Sequence, residues 1–308
     1  MAPPQPQSKQ PLNETQVGTL AAVTAYMFWG FFTLYFNALS EVPPLEILSH
    51  RIIWSVGLLA FIVTFLRKWP EIIPILLNPR KLAIYGLSAL LISLNWGTYI
   101  YAVVSGQALE GSMGYFIMPL FAVLLGGIFF GERFSKTQTI AIILAMAGVF
   151  YKVAGLGEFP IIALTLALSF GTYGMLRKKA SADAISGLFL ETLLISPIAV
   201  GFMIYWAQTG QFYFLNADLD MQLLLILAGP VTAFPLILFA FGARKLRYST
   251  VGLLQYINPT VQFLLAIYVL GEEFNLHDLM TFGCIWAGLA LYSQSIYVQS
   301  RQNKKANS

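Results

Sequence analysis

Nearly the whole chain is a succession of apolar runs, each close to the ~20 residues an α-helix needs to cross a bilayer. Ten spans are expected, over residues 18–37, 47–66, 81–103, 107–130, 137–154, 159–176, 185–206, 221–243, 248–270 and 278–299. Of the 308 residues, 57% are hydrophobic and only 10% charged, which argues against a soluble globule and predicts an all-α integral membrane protein. The run from Gly18 is too long for the apolar part of a signal peptide and has no clear small-residue cleavage site, so it counts as the first span. Residues 1–17, rich in Pro and Gln, read as a disordered tail, and residues 300–308 as a second tail. The single cysteine, Cys284, excludes an internal disulfide.

Lys and Arg give the spans a direction. Arg67, Lys68, Arg80 and Lys81 fall in one loop, Arg133 and Lys136 in another, and Arg177, Lys178 and Lys179 in a third. Arg244, Lys245 and Arg247 fall in a fourth, with Lys9, Arg301, Lys304 and Lys305 at the termini. All of these lie at one end of a ten-span bundle. Only Lys152 lies at the other, and Arg51 lies inside a span. Positive loops stay in the cytoplasm, so both termini are expected there. The net charge of +4 is spread over short loops rather than gathered in a patch, so nucleic acid is not an expected partner. The expected surroundings are the lipid bilayer.

One stretch occurs twice, 140 residues apart and without a gap. Ile117, Pro119, Leu124, Leu125, Gly131, Glu132 and Phe134 match Ile257, Pro259, Leu264, Leu265, Gly271, Glu272 and Phe274. Ala147-Gly148 matches Ala287-Gly288 in the run that follows. A weaker register near 141 places Trp29-Gly30 on Phe170-Gly171 and His50-Arg51 on Glu191-Thr192. A unit of five spans is odd, so its second copy enters the membrane from the opposite side. The flanking charge reverses accordingly, with Arg133 and Lys136 after the first copy and Glu273 and Asp278 after the second. The expected fold is ten transmembrane helices as two inverted five-helix repeats, residues 18–154 and 159–299, a plan common among secondary transporters.

Several stretches resemble the drug/metabolite transporter superfamily in its EamA-type, ten-span form, and within it the RarD branch, named for a chloramphenicol-sensitivity phenotype. They are Ser49-His50-Arg51-Ile52-Ile53-Trp54-Ser55, Asn95-Trp96-Gly97-Thr98-Tyr99-Ile100-Tyr101, Gly114-Tyr115-Phe116-Ile117-Met118-Pro119-Leu120, Ala228-Gly229-Pro230-Val231-Thr232 and Ser249 to Thr260. The resemblance implies a secondary transporter of the bacterial inner membrane, and the expected function is export of a small polar molecule or metabolite. It names no substrate. Met118 departs from the Tyr-Phe-Ile-Asn-Pro pattern of such proteins.

Candidate substrate-binding residues are those whose polarity is costly at membrane depth. Arg51, beside His50, either snorkels to the interface or faces a cavity and meets an anionic group. Glu191 either pairs with Arg51 or titrates during transport, or else is a cap or interface carboxylate near a helix start. Asn95 and Tyr99 share a helix face, and either line a cavity or join helices. Gln255, Asn258 and Gln262 form a polar stripe that lipid does not tolerate, with Tyr115 as the mate of Gln255 in the other repeat. Pro119 and Pro259 are either passive kinks or hinges that free the carbonyls of Tyr115 and Gln255. Trp29, Tyr35, Trp54 and Tyr173 are further aromatic candidates for a cavity wall, or else packing.

Catalytic signals are weak. Gly106 to Gly111 has the glycine spacing of a phosphate loop, but Ser112 stands where Lys is required. Neither HExxH nor GxSxG occurs, and no metal or other cofactor is expected. Transport is the first reading. A passive channel, an intramembrane enzyme and a receptor or assembly factor are the alternatives.

Overall fold

The computed structural model describes residues 14–130, 134–156, 159–179, 182–246 and 254–306; some side chains within these ranges, including Pro119, lie outside the description. Every regular element is an α-helix, and no strand occurs among the described residues. The first half holds α1 (Glu14–Gly30), α2 (Phe32–Asn37), α3 (Pro44–Phe65), α4 (Trp69–Leu76), α5 (Pro79–Val104), α6 (Ala108–Phe130) and α7 (Lys136–Leu156). The second holds α8 (Ile161–Lys179), α9 (Ala184–Thr209), α10 (Tyr213–Asn216), α11 (Leu219–Lys245), α12 (Ile257–Tyr268) and α13 (Leu276–Ala306).

Each expected span contains a helix, the first being split into α1 and α2 at Phe31, while of the expected span 248–270 only Ile257–Tyr268 forms α12 and residues 248–253 lie outside the described residues. Among the described residues, five helical stretches are both long and apolar enough to cross a bilayer: Glu14–Asn37, Pro44–Phe65, Pro79–Val104, Ile185–Thr209 and Leu219–Phe239. Lys136–Tyr151, Ile161–Arg177 and Ile257–Tyr268 are apolar and shorter. Two corrections concern the ends. Helix α1 begins at Glu14, so residues 14–17 are not tail, and α13 runs on to Ala306. Residues 1–13 lie outside the description. The short helices α4 and α10 were not expected; at 8 and 4 residues they lack the length to show a span's signature.

Local chemistry sets the helix ends. Pro44 and Pro79 occupy first-turn positions, where a missing N–H costs nothing. Asn78 caps α5 by accepting from the N–H groups of Arg80 and Lys81, both at 3.1 Å. Asp183 caps α9 through the Ser186 N–H at 2.8 Å and pairs with Lys68, tying two basic loops together.

Packing follows one rule. Helix α1 pairs with α11 and α12, α3 with α9 and α11, α5 with α8 and α9, α6 with α8 and α12, and α7 with α13. Exchange each helix for its counterpart (α1 for α8, α3 for α9, α5 for α11, α6 for α12, α7 for α13) and these pairs map onto one another. That is a pseudo-two-fold axis, and with an odd number of spans per repeat it lies in the membrane plane. All these pairs join one half to the other. The repeats are interleaved rather than side by side.

The repeated Ala-Gly shows the symmetry at atomic scale. A Cβ on Gly148 would meet the Thr281 carbonyl oxygen at 2.9 Å and Cys284 Cβ at 2.8 Å. A Cβ on Gly288 would meet the carbonyl oxygen of Ala141, the mate of Thr281, at 2.7 Å. Helices α7 and α13 therefore touch backbone to backbone at both positions.

The second copy of the Gly-Glu match is a cap between halves. Gly271, at φ 72°, turns the chain after α12, a conformation that suits glycine. Glu272 then accepts from the N–H of Ala108 at 2.7 Å and of Leu109 at 2.8 Å, with one carboxylate oxygen each, at the start of α6. A carboxylate at a helix N-terminus satisfies orphan donors and meets the positive end of the dipole. The first copy, Gly131-Glu132, lies outside the described residues.

Gly148→Leu and Gly288→Leu should each destabilise the purified protein by about 1–3 kcal/mol or more, through the same forced separation of α7 and α13. Thermal unfolding in detergent measures this. A loss at one site with none at the other would contradict the symmetric contact.

Candidate functional site

The site starts from α3. Pro43-Pro44 begins this helix, and its first two turns bring Glu46, His50 and Arg51 inside the bundle. Arg51 is 5% exposed, so it does not snorkel. Its guanidinium carbon lies 4.2 Å from the ring centre of Trp96, 5.5 Å from that of Phe32 and 5.7 Å from that of Phe36. Its Nε is sealed and has no hydrogen-bond partner. A charge at the centre of a membrane helix costs ~2.5–3.5 kcal/mol on insertion scales. A desolvated cation over an aromatic face recovers ~2 kcal/mol or more. The rings thus offset much of the cost and supply no countercharge.

Three tyrosines, Tyr35, Tyr99 and Tyr115, stand within electrostatic reach of Arg51. Their hydroxyls are engaged. Tyr115 donates to Asn95 Oδ1 at 3.2 Å, Tyr99 shares a proton with Thr33 at 2.9 Å, and Tyr35 donates to the Leu224 carbonyl at 2.7 Å. Asn95 Nδ2 donates to the Leu166 carbonyl at 3.0 Å and Ser169 Oγ at 3.2 Å. Asn95 therefore joins α5, α6 and α8, which favours the helix-joining role while leaving it one residue from Trp96.

Helix α12 carries the polar stripe. Asn258 Oδ1 and Gln262 Oε1 are sealed from solvent without a hydrogen-bond partner. Gln255 is half-buried in the turn before the helix. Pro259 sits in the first turn of α12, not mid-helix, and the Gln255 carbonyl accepts from the Asn258 N–H at 3.3 Å. The expected free carbonyl is thus occupied. Ser112 on α6 donates to the Pro259 carbonyl at 2.8 Å, one turn from Tyr115, which holds α12 beside the tyrosines. Helix α6 continues through Pro119. Residues 249–253 of the quoted stretch lie outside the description.

Two expected residues stand apart from the Arg51 cage. Glu191 is fully buried, but it meets Arg177 rather than Arg51. Its Oε1 lies 3.6 Å from Arg177 Nε and accepts from Ser88 at 2.5 Å, and its Oε2 accepts from Tyr173 at 3.1 Å. Pairing with Arg51 is therefore corrected: Arg177 supplies the positive charge. His50 turns toward the loop before α10. Its Nδ1 accepts from Trp54 Nε1 at 3.1 Å, and its ring lies 4.7 Å from Phe214 and 5.8 Å from Phe212. Trp29 packs on Tyr26 and Phe239.

Phe32, Phe36 and Trp96 as the walls of the cage, and Arg177 as the partner of Glu191, are additions from the structure. A usable signal was the register near 141, which places Phe32 and Phe36 on Tyr173 and Arg177 as it places His50 on Glu191. A separate groove of about 370 Å³ lies between α6, α12 and α13, lined by Phe116, Tyr256, Thr260, Trp286 and Leu289. Its walls are mainly aromatic and aliphatic.

The sequence matches the EamA-like transporter family twice, over residues 16–153 and 160–294. It is 42% identical to an uncharacterized transporter of Vibrio cholerae, over 91% of this chain and 93% of that protein. It is 40% identical to Protein RarD of Escherichia coli, over 95% and 99%. It is 33% identical to the chloramphenicol-sensitive protein RarD of Pseudomonas aeruginosa, over 89% and 92%. A crystal structure of a protein 17% identical to it shares the fold, with a TM-score of 0.56 over 90% of this chain and 96% of that one. Doubled match, full-length relatives and inverted ten-helix plan agree: the chain belongs to the EamA-like transporter family, within the drug/metabolite transporter superfamily.

Proposed function

We propose that this protein is a secondary transporter that moves a small polar molecule out of the cell by alternating access about a site between its two repeats. The repeats, residues 18–154 and 159–299, would exchange roles as the site opens to one side and then the other. The observation that supports this reading is a set of buried polar side chains on helices that pack across the two halves. Arg51, Asn95, Tyr99 and Tyr115 come from the first half, and Asn258 and Gln262, with unsatisfied oxygens, from the second. Buried polar atoms without partners are expensive, and a ligand that supplies the missing donors turns that cost into affinity. The basic loops support a reading in which the chain lies in the bacterial inner membrane with both termini in the cytoplasm.

Counterflow tests transport itself. Comparing metabolites retained by cells lacking the protein and by cells overproducing it supplies a candidate substrate. Purified protein in proteoliposomes should then show trans-stimulated exchange of it. Flux without trans-stimulation would mark a channel.

Topology has its own readout. Single cysteines placed at 210–220 should react with an impermeant reagent added outside the cell, and those at 177–183 should not. Labelling of both loops from one side would contradict the ten-span orientation.

Asn258→Leu separates substrate contact from helix packing. Its Oδ1 has no partner to lose, so the variant should insert and unfold like the wild type. Substrate affinity should fall by about 1–3 kcal/mol, the cost of an unpaired polar group. Lower detergent stability with unchanged affinity would move Asn258 from the site to the scaffold.

A further inference from the structure

We infer that the cargo is an organic monoanion whose carboxylate docks on the guanidinium of Arg51. The inference rests on the transporter reading above and adds the charge of the substrate. Arg51 makes no ion pair and no hydrogen bond among the described residues, and its nearest described partners are the rings of Trp96, Phe32 and Phe36. Its Nε is sealed, but its two terminal nitrogens are not among the sealed, unpartnered atoms. They are therefore not sealed as Nε is. Those nitrogens form the planar fork that accepts two carboxylate oxygens side by side.

No carboxylate of the described chain fills that role. Glu272 gives both oxygens to the start of α6, and Glu46 gives both to the N–H groups of Tyr213 and Phe214. Glu191 is held by Arg177, Ser88 and Tyr173.

The second repeat shows what a self-sufficient version of the same corner looks like. In the register near 141, Phe32 falls on Tyr173, Phe36 on Arg177, and His50-Arg51 on Glu191-Thr192. In the second repeat, the ion of α9 meets an opposite charge and a hydroxyl from α8. In the first, the ion of α3 meets two phenyl rings at the equivalent positions. One corner is a closed ion pair and the other is an open cation. Rings bare of polar groups fit the apolar body of a ligand, and the open cation fits its anionic end.

Benzoate is a suitable probe, and benzamide is its neutral counterpart of the same shape. Calorimetry and thermal unfolding of the purified full-length protein read binding. Benzoate should bind and raise the unfolding temperature, and benzamide should not. Arg51→Gln should weaken benzoate binding by about tenfold to a hundredfold, the range of a charge-assisted hydrogen bond. Arg51→Lys keeps the charge without the fork and should fall between. Equal binding of benzamide overturns the inference, as does benzoate binding that survives Arg51→Gln. So does a lack of binding by benzoate, phenylacetate, hexanoate and acetate alike. If Arg51→Gln does not fold, the benzoate–benzamide pair on the wild type decides. Trans-stimulated counterflow of a neutral metabolite, unaffected by Arg51→Gln, would remove the anion and leave the transport reading standing. Benzoate binding in a protein without counterflow would do the reverse.

Discussion

A guanidinium enclosed by aromatic rings inside a membrane bundle constrains much of what surrounds it. At 5% exposure it draws little on solvent, so the rings must be held in place. Phe32 and Phe36 brace each other at 5.6 Å between ring centres, Phe36 meets Tyr99 at 6.0 Å, and Tyr99 meets Tyr115 at 5.4 Å. Tyr115 hydrogen-bonds Asn95, and Asn95 hydrogen-bonds α8 of the other repeat. The cage is thus built by the first half and braced by the second.

Interleaving makes that bracing possible. The principal helix pairs cross between halves. The matches found 140 residues apart mark where this crossing is tight. Gly148 and Gly288 let α7 and α13 touch through backbone, and Glu272 closes the start of α6 from the far repeat. Symmetry is kept where the scaffold needs it and broken where α3 and α9 carry their charges. Helix α9 carries a neutralised pair, and α3 a cation without one.

Much of the fold was legible in the sequence because lipid imposes a simple rule: a spanning segment satisfies its own backbone and shows lipid an apolar surface. Apolar run length yields the ten helices, and loop charge their direction. Helices α4 and α10 escaped because they are too short to span. The site was only partly legible. Arg51, Tyr99 and Tyr115 stood out as polar groups at depth, but Phe32, Phe36 and Trp96 did not, since rings are unremarkable in a chain that is 15% aromatic. Glu191 suggested a partner for Arg51 because both are embedded charges, and only the reach of α8 side chains to α9 reveals Arg177 instead. Pro259 suggested a hinge from its place in an apolar run, yet α12 begins two residues earlier, so it lies in a first turn. The role of Glu272 is a contact across more than 160 positions, a separation that pattern reading does not span.

The central claim is that Arg51 lacks a countercharge of its own and takes one from the substrate. Supplying that charge from the protein tests it most directly. Phe36 falls on Arg177 in the repeat register and lies 5.7 Å from the guanidinium, so Phe36→Glu places a carboxylate where the second repeat already has an ionic partner. Phe36→Gln makes the same change in size without the charge. Benzoate binding, measured by calorimetry on both purified variants, should be lost in Phe36→Glu and retained in Phe36→Gln. Equal binding by the two would mean that the charge of Arg51 is not what the ligand meets.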